Sequence, residues 1–131
     1  MIGRTRPQLE IPAASHTFGS GDRLVRAQIQ LRHGVVHIVT YLYRDRPANP
    51  ADTPRPGVRA RLYLVRPDRT EIPAIPEGCF AGASEDGPYG RWVDEQVETF
   101  TIGDLQPASL RIEYRTYLGE RWHETIALPA S

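Results

Sequence analysis

The stretch Arg23–Arg44, "RLVRAQIQLRHGVVHIVTYLYR", constrains the fold more than any other part of the chain. Two runs of alternating apolar and polar residues flank His33-Gly34, and alternation is the period of a half-buried strand. Glycine takes positive φ freely and histidine is among the more permissive of the other residues, so His33-Gly34 suits a two-residue hairpin turn. Folding the chain there sets Leu31 against Val36, Ile29 against Ile38, Ala27 against Thr40 and Val25 against Leu42. Turn and pattern specify the same register. Val25, Ala27, Ile29 and Leu31 are expected inside, and Leu24, Arg26, Gln28, Gln30 and Arg32 outside. The outer face then pairs Arg26 with Tyr41 and Gln30 with His37.

Further strands follow from the same reasoning. "VRARLYLVR" (Val58–Arg66) turns Val58, Ala60, Leu62 and Leu64 inward and Arg59, Arg61 and Tyr63 outward. "PDRT" reads as a turn before a short strand around Glu71–Ala74. "WVDEQVETFTI" (Trp92–Ile102) is a strand. So is "LRIEYRTY" (Leu110–Tyr117), with Leu110, Ile112 and Tyr114 inside and Arg111, Arg115 and Tyr117 outside. "RWHETIAL" (Arg121–Leu128) closes the series, and "QLEIP" near the start offers an edge strand. Between these lie a partly irregular arm over 1–20, a loop over 45–57 with four prolines, and a long glycine-rich connection over 76–91. Proline cannot donate to a ladder, so the proline loop is excluded from a sheet interior. Cys79 and Phe80 are expected to tuck the glycine-rich connection against the core.

Seven or eight strands with no amphipathic helix imply one all-β domain over 1–131, an antiparallel β-sandwich. Phe100–Leu128 resembles the later strands of fibronectin type III domains, where a Leu-x-Pro corner leads into a tyrosine-bearing strand. Leu105-Gln106-Pro107 matches that corner, while Arg111 stands where the tyrosine is expected. The resemblance implies an immunoglobulin-like or fibronectin III-like sandwich.

Composition narrows the function. Sixteen basic and sixteen acidic residues leave no net charge, so no overall electrostatic footprint for nucleic acid is visible. No apolar run is long enough to span a bilayer, and the N-terminus has no signal-peptide core. A cytoplasmic or virion-associated location is therefore expected. All sixteen basic residues are arginine and lysine is absent. GC-rich codon usage accounts for this, alone or together with selection for the planar guanidinium fork.

The residue types that carry catalysis are poorly arranged. Cys79 has no evident base or helix N-terminus to activate it, so a cysteine-dependent enzyme is the least favoured reading. His33 and His37 sit too far apart along a strand to share an ion. Asp94 and Glu95 point to opposite faces, and Glu85-Asp86 reads first as a turn. No catalytic residue, cofactor or metal is expected. The outer faces instead present arginine and tyrosine, which protein interfaces enrich: Arg26 with Tyr41, Arg59 and Arg61 with Tyr63, Arg111 and Arg115 with Tyr117. The glycine-rich connection adds Asp86, Tyr89, Arg91 and Trp92. The expectation is a non-enzymatic interaction or structural module in a bacterial or phage assembly, with a protein partner or a second copy. Carbohydrate or small-ligand binding through residues 84–92 is the alternative. Neither nucleic acid nor membrane is expected.

Overall fold

A tight turn at His33-Gly34 organises the first hairpin, with both residues at positive φ, 52° and 74°. Gly34 also packs against the 102–104 turn, where an added Cβ would fall 2.8 Å from the Gly103 carbonyl oxygen. The computed structural model describes residues 11–44, 57–86 and 91–129, with side chains for all of these except 81–86, 91 and 92. Nine strands are found among them: β1 (Ala14–Thr17), β2 (Arg23–Arg32), β3 (Val35–Arg44), β4 (Val58–Val65), β5 (Glu71–Pro73), β6 (Ile75–Asp86), β7 (Arg91–Thr101), β8 (Ser109–Thr116) and β9 (Arg121–Ala127). They form two antiparallel sheets, a five-stranded one ordered β1-β2-β3-β7-β6 and a four-stranded one ordered β5-β4-β8-β9. One core draws on both, with Leu24, Ile38 and Leu42 from the first and Leu62, Leu64, Leu110 and Ile112 from the second. The result is a β-sandwich-like all-β fold. No helix long and apolar enough to cross a membrane occurs among the described residues.

The expected alternation holds in β4 and β8. Val58, Ala60, Leu62 and Leu64 are buried, as are Leu110, Ile112 and Tyr114. In the first hairpin it holds only near the turn, where Leu31 faces Val36, Gln30 faces His37 and Ile29 faces Ile38. Beyond that point Ala27 is an extra residue, a β-bulge between Arg26 and Gln28 that shifts the pairing to Arg26 with Thr40, Val25 with Tyr41 and Leu24 with Leu42. A one-residue shift exchanges the two faces of a strand. Leu24 and Arg26 therefore point inward and Val25 outward, reversing the expectation for all three. Leu31, at the turn end, stays 43 % exposed.

The second correction concerns the glycine-rich connection over 76–91. Most of it is strand β6, paired with β7 from Ile75 opposite Thr101 to Asp86 opposite Arg91. Gly, Ala and Ser disfavour strands on their own, but the antiparallel ladder with β7 gives their backbone groups partners. Phe80 does not tuck against the core either, since it is 64 % exposed, and Cys79 is exposed. The proline loop over 45–56 and the arm over 1–10, including most of "QLEIP", lie outside the described residues.

The sheets end on four edge strands. β1 and β5 are short, and β9 carries Arg121, His123 and Glu124. On β6, Pro76 and a bulge at Glu77 mark the start and Glu85-Asp86 the finish, but Gly78 to Ser84 carry neither charge nor proline.

Burying Arg26 requires an acid, and the opposite sheet supplies one. Glu124 of β9 accepts two hydrogen bonds from the guanidinium, from Nε at 3.1 Å and Nη2 at 2.8 Å. Tyr114 Oη donates to the same carboxylate at 2.6 Å, and Arg26 Nη1 donates to the Pro12 carbonyl at 2.9 Å. Burial works to lower the Arg26 pKa, but the Glu124 hydrogen bonds and charge outweigh it and hold it above its ordinary value. Burial and the adjacent carboxylate push the Tyr114 phenol up strongly. Next to them Trp122 stacks between Tyr114 and His16, with ring centroids 5.2 Å and 5.7 Å away. Removing one member of such a bridge strands a buried charge, so Glu124→Ala should cost about 3–5 kcal/mol in urea unfolding. The double variant R26M/E124M should recover much of that loss. Simple addition of the two single-variant costs would show that the pair is not coupled.

Candidate interaction surfaces

The outer face of the five-stranded sheet is unusually apolar. Across its strands run Val25, Tyr41 and Glu95, then Gln28, Val39, Val97 and Phe80, then Gln30, His37, Thr99 and Gly78. Tyr43 and Val35 extend it at the two ends of β3. Val25, Val35, Val39, Tyr41, Tyr43 and Val97 are half-buried, Phe80 is exposed, and none belongs to the core. Tyr41 thus lies on an outer face as expected, though opposite Val25 and not Arg26. His37 Nδ1 lies 3.1 Å from Thr99 Oγ1, so that ring nitrogen is engaged within the sheet.

The outer face of the four-stranded sheet is polar and basic. Arg59 stands opposite Arg115, which stands opposite Arg121; Arg61, Glu113 and His123 form the next row; Tyr63, Arg111 and Thr125 the third. Arg59, Arg61 and Tyr63 therefore share a face with Arg111 and Arg115, as the alternation implies. Arg111 is held there by Glu71 at 2.6 Å and Glu113 at 2.5 Å and lies over the Tyr63 ring, 4.3 Å from its centroid. Those two carboxylates raise the Arg111 pKa. Tyr117 does not join this face. β8 stops at Thr116, and Tyr117 sits in the following turn, its hydroxyl donating to Asp22 at 3.1 Å and its ring under Arg44.

At the tip of the β6–β7 hairpin, Asp86 pairs with Arg91 and Glu85 with Trp92 in backbone register. Tyr89 lies outside the described residues. Trp92 does stand at the start of a strand.

β7 carries a feature that the sequence reading missed. Asp94, Gln96 and Glu98 all point inward and are buried, while Glu95 takes the opposite face. The signal was their shared parity with Phe100 and Ile102. Asp94 pairs with Arg44 at 2.5 Å, and it approaches Gly57 so closely that any Cβ there would run into its carboxylate. Glu98 reaches across to the second sheet. Its Oε2 accepts the Ala60 amide at 2.6 Å, on the stretch of β4 beyond the reach of short β5, and Arg59 Nε lies 3.5 Å from its Oε1. Gln96 Nε2 contacts the Cys79 sulfur at 3.4 Å, while Gln96 Oε1 has no hydrogen-bond partner among the described residues.

Burial pushes the Glu98 carboxyl up to about 7, against the opposing pull of the Ala60 amide and Arg59. Burial and the Glu98 charge likewise push the Cys79 thiol up, the wrong direction for a nucleophile at neutral pH. Among the described residues no group of three or more His, Cys, Asp or Glu side chains is placed to hold a metal ion. Comparison with family models, curated proteins and solved structures finds no match. The surfaces are therefore interpreted from their own chemistry.

Two outcomes follow. Between pH 4.5 and about 7 folded Glu98 keeps a proton that the unfolded chain has released. Stability therefore falls as pH rises through that window and levels off above it, by on the order of 3 kcal/mol at most. Glu98→Gln, which keeps an acceptor for the Ala60 amide, should flatten the curve, as measured by urea unfolding across the pH range. Cys79, though exposed, should react with iodoacetamide at pH 7 more slowly than free glutathione, with a rate still climbing past pH 9. Faster labelling than glutathione would restore the nucleophile.

Proposed function

We propose that this chain is a non-enzymatic β-sandwich module of immunoglobulin-like type, a structural or adaptor component working through protein–protein contacts that include self-association. The immunoglobulin-like assignment is supported by strand order. The run β2-β3-β7-β6 facing β5-β4-β8-β9 corresponds to strands A-B-E-D facing C′-C-F-G. The β7–β8 crossover with its Leu105-Gln106-Pro107 corner then occupies the E–F position.

The observation that carries the contact function is the outer face of the five-stranded sheet. Antiparallel sheets normally turn polar residues to solvent, yet Val39, Val97 and Phe80 form an unbroken cross-strand row with Tyr41 beside it. Contiguous apolar surface of this kind marks association sites, and tyrosine and phenylalanine contribute large contact area with few torsions to freeze. The same patch can pack on its own copy about a two-fold axis, as closed dimers do.

Size-exclusion chromatography with light scattering, run over a range of concentrations, tests this directly. The wild type should show a mass above that of one chain. Val39→Glu and Phe80→Glu should each give a folded monomer with unchanged circular dichroism. A wild type that stays monomeric at every concentration removes self-association from the reading. Variants that remain oligomeric move the contact away from this face.

A further inference from the structure

The basic rows on the four-stranded sheet present a separate problem. Arg59, Arg115 and Arg121 stand directly opposite one another on three adjacent strands, which puts neighbouring side-chain bases about 5 Å apart. Like charges in that arrangement destabilise a sheet. Arg61, one row along β4, adds a fourth. The acid in their midst does not neutralise them, because the Glu113 carboxylate is turned to Arg111. Arg59 has only the distant Glu98 at 3.5 Å, and Arg61, Arg115 and Arg121 have no acidic partner among the described residues. A depression of about 500 Å³ lies at this face, and its lining includes all four arginines, His123 and the Arg111-paired Glu113.

We propose that this depression binds a compact polyanion of two or three linked phosphates, such as a pyrophosphate or the phosphate chain of a nucleoside polyphosphate. The guanidinium fork matches phosphate oxygens two at a time, and its charge does not titrate away. The extent of the patch selects the ligand. Three strands across and two side-chain rows along give roughly 10 by 7 Å from the sheet spacings. Beyond it, in the third row, Arg111 is already neutralised by Glu71 and Glu113. Two or three linked phosphates fill that area, whereas a single-stranded nucleic acid needs a track of about four or more nucleotides. The protein as a whole carries no net charge, so the attraction of this patch is local and not part of an overall positive field. This site lies on the opposite sheet from the apolar face and is independent of it.

Isothermal titration calorimetry at low ionic strength, with tripolyphosphate as the probe, tests the site. Orthophosphate and a fifteen-residue oligothymidylate serve as comparison ligands. Tripolyphosphate should bind, orthophosphate at least roughly tenfold more weakly, and added salt should weaken binding. Arg115→Ala and Arg121→Ala should each lower affinity roughly tenfold, and Arg115→Glu should abolish binding. Arg66→Ala, on the β4–β5 turn, should leave it unchanged. Thermal melting separates binding from folding, since Arg115→Ala relieves repulsion and should melt no lower than wild type. The proposal fails if tripolyphosphate does not bind, or if its affinity matches that of orthophosphate. It also fails if the arginine variants bind like wild type. Tighter binding of the oligothymidylate than of tripolyphosphate would replace it with a nucleic-acid surface.

Discussion

The Arg26–Glu124 bridge is the interaction on which the sandwich depends. It joins β2 of one sheet to β9 of the other, recruits Tyr114 from β8, and reaches the backbone of the segment before β1 at Pro12. A guanidinium this deeply buried would be prohibitive without a carboxylate and further hydrogen-bond acceptors. The bulge at Ala27 creates the requirement by turning Arg26 inward; the strand order meets it by bringing β9 over that side. Bulge, bridge and aromatic stack of Tyr114, Trp122 and His16 therefore form one unit, in which moving any part disturbs the others.

At the other flank a different solution holds the sheets together. β5 pairs with only the last three residues of β4, which leaves the Ala60 amide in need of an acceptor. Glu98 supplies it from the facing sheet. Two members of the buried polar run on β7 are thus explained, Glu98 by backbone demand and Asp94 by the Arg44 charge. The interior of this molecule is apolar in the middle and polar along both flanks.

Much of this was legible in the chain. The His33-Gly34 turn, the faces of β4 and β8, the β4–β5 turn and the two-sheet class all follow from alternation and turn chemistry. The bulge did not, because either register of β2 buries a plausible apolar set: Val25, Ala27 and Ile29 in one, Leu24 and Ile29 in the other. An inward Arg26 argued against the true register until its partner was known, and Glu124 is ninety-eight residues away. β6 was illegible because its residues are weak strand formers and its order comes from pairing with β7. The inward carboxylates of β7 could have been read from parity, but their charge argued for the surface. The arginine rows emerge only when three strands are set side by side, since no single strand contains them.

The uncharged stretch of β6 has a consequence for the life of the protein in a crowded solution. Among the described residues no strand pairs with its outer edge, so the backbone from Gly78 to Ser84 can template another extended chain, and neither a lysine nor a proline within the stretch stands in the way. The other three edges are blunted by shortness or charge. Among the described edges this strand is therefore the one most open to fibre formation or to capture of unfolded neighbours, and a single gatekeeper residue placed there would be the economical way to suppress it.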